Sequence, residues 1–149
     1  MFLTGGTGFL GTAVQAALAR HGVTDVLAPS SAEVDLLDAG AATRAIADAA
    51  PDVVIHMAAR VGGIGANMAN PASLYLENLQ LGTNVIEACR HAEVAKTVVI
   101  GTICSYPKHT PVPFRESSLW TGFPEETNAP YGIAKLAQLV HLQANRAQY

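Results

Sequence analysis

Tyr131 and Lys135, in the run Tyr131-Gly132-Ile133-Ala134-Lys135, stand four residues apart. On a helix that spacing puts a phenol and an ammonium on one face. A phenol titrating near ~10 is a poor proton donor or acceptor at neutral pH. A neighbouring ammonium stabilises the phenolate and brings the group nearer the working range. The chemistry on offer is proton transfer to an oxygen. Thr102 closes a β-branched run at residues 96–101, at the strand end where parallel sheets meet their ligands. Its hydroxyl can polarise a carbonyl; a simple strand-end cap is the alternative.

A second constellation lies at the start of the chain. Thr4-Gly5-Gly6-Thr7-Gly8-Phe9-Leu10-Gly11 places glycines at three-residue intervals between a short apolar strand and an amphipathic helix. Gly5 permits a tight turn, Gly8 lets a pyrophosphate approach the backbone, and Gly11 lets helix and strand pack closely. The free N–H groups and dipole of the helix start favour an anion there. A glycine triplet alone is weak, but the strand before and the helix after are the context that dinucleotide binding requires. The expected second strand ends in Leu27-Ala28-Pro29-Ser30-Ser31, with neither an acid for a ribose hydroxyl nor a base for a 2′-phosphate. The sequence therefore leans only slightly towards NADPH, and NAD stays open.

The elements that must position these groups follow from periodicity. A strand over 2–4 precedes a helix from Phe9 to Arg20, with Leu10, Val14, Ala17 and Leu18 at amphipathic spacing. Residues 23–28 read as a second strand and 34–36 as a short third. Asp38 is the expected N-cap of a helix over 39–49, and residues 53–57 form the next strand. Pro71 opens a long helix, roughly 72–92. Residues 96–101 read as a strand buried on both faces. A proline-rich loop of 29 residues (102–130) leads to a helix over 131–149. Its length points to function.

This order predicts an α/β fold, a Rossmann-like doubly wound parallel sheet with helices on both faces, as one domain over 1–149. The short first strand and the unstopped last helix lead us to expect a piece of a longer chain, cut at both ends. Composition narrows the classes. Of 149 residues half are hydrophobic and 14% charged, with a net charge of -3. There is no basic stripe for nucleic acid, too much apolar content for disorder, and no run approaching the ~18 apolar residues of a membrane span. No basic n-region opens the chain, so no signal peptide is expected. Cys89 and Cys104 form no metal-ligand spacing, which predicts reduced thiols, no metal and a cytosolic setting.

Four stretches carry a family resemblance: Thr4–Gly11, His56–Asn67, Gly101–Lys108 and Glu126–Lys135. The chain resembles the extended short-chain dehydrogenases/reductases. Within them, its Val-Gly-Gly-Ile-x-Ala-Asn loop and Cys-x-Tyr-Pro-Lys turn are similar to those of the GDP-L-fucose synthase family. That resemblance implies reduction and epimerisation of GDP-4-keto-6-deoxy-D-mannose with NADPH. It makes Tyr131 the acid at the carbon 4 oxygen, Lys135 the residue that tunes it and holds the nicotinamide ribose, and Thr102 the triad hydroxyl. It makes Cys104 the epimerisation base. Gly5, Gly6, Thr7, Gly8, Phe9, Leu10 and Gly11 bind cofactor, with Ala58, Ala59, Tyr131 and Lys135.

The family's histidine acid and its substrate domain would lie beyond Tyr149, and its arginines for a 2′-phosphate would fall near Thr7 and Ser31, where none stands. The resemblance also implies a homodimer through the helices 72–92 and 131–149, where Leu136, Leu139, Val140 and Gln143 form a stripe. A nucleotide-sugar 4-epimerase that keeps NAD bound, and a non-catalytic dinucleotide-binding module, remain as alternatives. Elsewhere, His56 and Cys89 read as core, and Glu125, Glu126 and Arg115 as surface charges. His109 is a weak phosphate candidate. Asn78 can face the site through its amide, and the Gly62–Gly65 loop is expected near the nicotinamide and sugar, a plain flexible turn being the alternative.

Overall fold

The computed structural model describes residues 1–149. It divides into two compact units, Met1–Ala59 with Gln80–Ile100, and Arg60–Leu79 with Gly101–Tyr149.

The first unit holds a parallel sheet of β1 (Phe2–Thr4), β2 (Val53–His56) and β3 (Lys96–Val99), in that order. Phe2 pairs with Val54 and Val53 with Lys96. Strand alternation puts Phe2 and Val54 side by side on one face, where they join Ile46, Val85, Ala88 and Cys89 in the core cluster. The helices α1 (Phe9–Arg20) and α2 (Ala39–Ala49) have the predicted bounds. Asp38 caps α2 as expected, accepting from the N–H groups of Gly40 at 2.7 Å and Ala41 at 3.1 Å. Cys89 and His56 are both buried, as the sequence implied.

Three expectations in this unit need correction. The strand over 23–28 shrinks to a single bridge between Leu27 and Phe2. Only Leu27 lies alongside β1, donating to the Met1 carbonyl at 2.9 Å and accepting from Leu3 N–H at 2.8 Å, and Pro29 has no N–H to extend the ladder. Residues 34–36 form no strand. Asp35 and Ser30 tie the local backbone into turns, and Asn84 takes the carbonyls of Leu36 and Leu37 at 2.8 and 3.1 Å. The strand read over 96–101 ends at Val99 and is half-buried rather than covered on both faces, because it is the edge of the sheet.

The second unit contains α3 (Ile64–Ala69), which begins inside the loop read over Gly62–Gly65, and the first part of α4 (Pro71–His91). A 3-10 turn at Ile103–Ser105, another at Glu116–Trp120, and α5 (Ala129–Gln148) complete it. Pro130 sits in the first turn of α5, where its missing N–H costs nothing, so the helix starts two residues before the predicted Tyr131. The long loop is closed on itself. Lys108 N–H donates to the Phe123 carbonyl at 3.1 Å, its ammonium pairs with Glu126 at 2.7 Å, and Tyr106 stacks on Phe114 at 4.8 Å.

Candidate active site

In the first unit the glycine turn has the geometry its spacing predicts. Gly5 has φ +70°, and a Cβ there would stand 2.7 Å from the Ala58 nitrogen. A Cβ on Gly11 would overlap the carbonyls of Gly5 and Gly6, so α1 starts in backbone contact with the turn. Gly8 differs. It is exposed, its φ is ordinary, and a Cβ there would meet only the Gly5 carbonyl, at 3.3 Å. The protein takes a side chain there only if that carbonyl yields by a few tenths of an ångström, a milder demand than at Gly11. It leaves open the space that a close-approaching phosphate needs, at a helix start with no acid in its first turn. Thr7, Phe9 and Leu10 are exposed around it. Thr4 Oγ1 lies 2.6 Å from His56 Nδ1 and accepts from Ala58 N–H at 3.3 Å, fixing Ala58 and half-buried Ala59 beside the turn. The turn and these strand ends fit a dinucleotide.

In the second unit the 3-10 turn and α5 bring the remaining candidates together. Gly132 packs so tightly on the Cys104 carbonyl that no methyl group would fit. Ser105 Oγ donates to the Gly132 carbonyl at 2.9 Å. Thr102 caps the 3-10 turn, accepting from Cys104 N–H at 3.2 Å, and its hydroxyl also hydrogen-bonds the Tyr131 phenol. The strand-end cap read as the alternative for Thr102 is therefore present. An open cavity of about 570 Å³ is lined by Thr102, Ser105, Tyr106, Trp120, Lys135 and Leu139.

The electrostatics correct one expectation. The spacing of Lys135 predicts a lowered Tyr131 pKa. Instead burial raises it, the negative charge available at Cys104 adds to the rise, and the Thr102 hydrogen bond opposes both. Lys135 is only 5% exposed, and burial alone lowers its own pKa to about 8. No carboxylate offsets that desolvation, so the ammonium is itself the costly charge.

Other candidates settle elsewhere. Asn78 is buried and serves the backbone of Arg60, accepting from its N–H at 3.0 Å and donating to its carbonyl at 2.9 Å. His109 is exposed, beside a Lys108 already held by Glu126. Arg115 and Glu126 are exposed, as read. Glu125 is not a plain surface charge: it accepts hydrogen bonds from Thr127 and Asn128. Asn128 in turn accepts from buried Asn67. The acid followed by Thr127 and Asn128 just before a proline-led helix was the available signal.

A glycine turn between a parallel strand and a helix, with a tyrosine and lysine one turn apart on a later helix, defines a Rossmann-like protein of the short-chain dehydrogenase/reductase type. The chain belongs to the NAD dependent epimerase/dehydratase family, which matches residues 1–149. GDP-L-fucose synthase 1 of Arabidopsis thaliana is 38% identical over 149 residues, covering 100% of this chain and 46% of that protein. The chain thus spans about half the length of the curated relatives it matches. Among solved structures, GDP-mannoheptose C4 reductase from Campylobacter jejuni with NADP bound superposes with TM-score 0.94 at 28% identity, over 99% of this chain and 47% of that one. A GDP-L-fucose synthetase from Naegleria fowleri bound to NADP gives 0.88 at 30%, over 99% and 44%.

Burial of Lys135 makes a prediction with a defined sign. Its folded pKa of about 8 lies below the ordinary 10.5, so the unfolded chain binds the extra proton between those values. Stability must therefore rise with pH across that window. Lys135→Met removes the buried ammonium while keeping its length. The variant should melt higher than wild type near pH ~7, and its advantage should shrink as pH climbs towards ~10. Thermal melts across that range check this; an advantage independent of pH would contradict it.

Proposed function

We propose that this chain is the cofactor-binding portion of an NADPH-dependent epimerase/reductase that converts GDP-4-keto-6-deoxy-D-mannose to GDP-L-fucose. The observation that carries the reading is the gathering of Thr102, Cys104 and Tyr131 by the Gly132 contact. A reductase needs only the tyrosine and lysine; a thiol beside the phenol suits an epimerising enzyme. The identity to GDP-L-fucose synthases supports the choice of substrate.

The chemistry follows from the groups. A carbonyl at carbon 4 acidifies the protons on carbons 3 and 5, and the Cys104 thiolate takes them one at a time. The acid that the family resemblance places beyond Tyr149 would return a proton to the opposite face of each carbon, while the thiol gives up the one it took. Tyr131 gives its proton to the carbon 4 oxygen, with the Thr102 hydroxyl hydrogen-bonded to the phenol. A raised Tyr131 pKa keeps that proton in place until charge develops on the substrate oxygen. Lys135 holds the nicotinamide ribose, and a bound ribose would supply the partner that its buried ammonium lacks. NADPH supplies the hydride. The Gly5–Gly11 turn, with Ala58 and Ala59, receives the pyrophosphate and the adjoining groups. Nothing at Thr7 or Ser31 attracts a 2′-phosphate, so discrimination against NAD is weak.

The same reading makes the protein a cytosolic homodimer. Both cysteines are free, and no helix is long and apolar enough to cross a membrane. Tyr75 and Leu76 on α4 and Val140 on α5 are exposed apolar groups on the two helices that would pair between copies.

Three measurements test these proposals. In the full-length protein, Cys104→Ser should cut solvent deuterium incorporation at carbons 3 and 5 by ~100- to 10,000-fold, the usual cost of losing a general base. Tyr131→Phe should leave that exchange and stop hydride transfer. Undiminished exchange in Cys104→Ser would return the thiol to the core and favour a different extended reductase, such as an NAD-dependent nucleotide-sugar 4-epimerase. Gly8→Val should abolish dinucleotide binding in a titration, and unchanged affinity would reject the glycine turn as the pyrophosphate site. Light scattering of the full-length protein should report a dimer; a monomer would remove the helix pairing.

A further inference from the structure

Two segments of the second unit that are distant in sequence are joined by side-chain amides. Asn67 on α3 donates from Nδ2 to Oδ1 of Asn128 at 2.6 Å. Asn128 immediately precedes α5, and its own Nδ2 donates to Oε2 of Glu125 at 2.7 Å. The same carboxylate accepts from Asn128 N–H at 3.2 Å, and from the N–H and hydroxyl of Thr127 at 3.1 and 2.6 Å. These bonds, those from Thr127 first, hold Glu125 below the usual carboxylate range. The Asn128 carbonyl accepts from Gly132 N–H at 2.8 Å, closing the turn that carries Tyr131.

An amide side chain has one donor end and one acceptor end. Because a carboxylate can only accept, Glu125 turns the Asn128 amide so that Nδ2 faces it. Oδ1 must then face Asn67, which answers with a donor. The direction of the whole chain of bonds is decided at Glu125.

We propose that Glu125, Asn128 and Asn67 form a latch that positions the Tyr131 turn of α5 against α3, with Glu125 setting the direction of the Asn128 amide. None of the three touches a reacting atom in the reading above, so they are positioning residues. The latch determines where the first turn of α5 stands rather than whether α5 forms, because the helix runs for 20 residues and packs along its length through Ala134, Lys135 and Gln138. Its consequence for turnover rests on the reductase reading; its existence does not.

The test uses the direction of the amide. Asn67→Asp sets a carboxylate against Oδ1 of Asn128, oxygen to oxygen, while Glu125 prevents the amide from turning. Amide hydrogen exchange in residues 128–134 should then speed up about tenfold, with residues beyond 138 unchanged. In the full-length enzyme kcat for the keto-sugar should fall about tenfold, while KM and cofactor affinity stay within about twofold.

Adding Glu125→Gln should recover part of both losses, because the NH2 placed against Asn128 also removes the acceptor of the Asn128 backbone N–H. The new amide can donate to Oδ1 of Asn128, freeing Nδ2 to turn towards the carboxylate at position 67. Asn67→Ala, which deletes the donor without adding charge, should loosen the same residues less. Recovery in the double variant establishes the latch. Additive losses in the double variant, or unchanged exchange in Asn67→Asp, would overturn it. The exchange pattern and its rescue in the variants, together with no turnover by the wild-type protein, would overturn the reductase reading and leave the latch standing.

Discussion

Backbone brought against backbone, with no side chain between, is the constraint on which both candidate sites depend. In the second unit Gly132 meets the Cys104 carbonyl at a separation that excludes even a methyl group. The 3-10 turn at Ile103–Ser105 can therefore lie directly on α5, and Ser105 locks it there through its bond to the Gly132 carbonyl. One glycine thus decides that a hydroxyl, a thiol and a phenol share a neighbourhood. In the first unit Gly11 does the same for the start of α1 and the turn before it. Contacts this close leave little freedom to drift, because interiors are packed and do not deform continuously.

Electrostatics in the second unit are set more by burial than by pairing. Lys135 loses proton affinity because water is excluded, and Tyr131 gains it for the same reason. The two shifts move phenol and amine apart, so that the amine gives up its proton before the phenol does. A buried ammonium with no carboxylate beside it is a costly feature for a small chain to carry. Such expense is typical of groups kept for chemistry, where the missing partner arrives with the ligand. Gly8 shows the same logic without charge: it is exposed, and only the Gly5 carbonyl stands close to it.

Polar side chains, rather than apolar ones, hold the loops that surround these groups. Asn78 holds both backbone groups of Arg60, and Gln138 donates to the Asn78 carbonyl at 2.8 Å. Asn67 and Asn128 join α3 to the start of α5. Hydrogen bonds of this kind fix direction as well as distance, which apolar contact does not. The 60–69 segment is thereby held near both ends while Val61 and Ile64 stay exposed between the anchors.

What the sequence determined by itself is local. The bounds of α1 and α2, the Asp38 cap, the glycine turn and the tyrosine–lysine spacing all depend on residues within about a turn or two of each other. Patterns at that range survive into the fold unchanged. What only the tertiary structure decided depends on partners far along the chain. Residues 34–36 had the apolar character of a strand, but Asn84, nearly fifty positions on, takes the carbonyls of Leu36 and Leu37. Residues 23–28 had strand propensity, but only Leu27 comes alongside β1, and Pro29 has no N–H to carry the pairing on. Glu125 looked like a surface charge because its role passes through Asn128 to Asn67, at a sequence separation of 61. The upward shift of Tyr131 likewise reflects the water that the fold excludes, and exclusion of water is a property of packing that spacing along a chain does not encode.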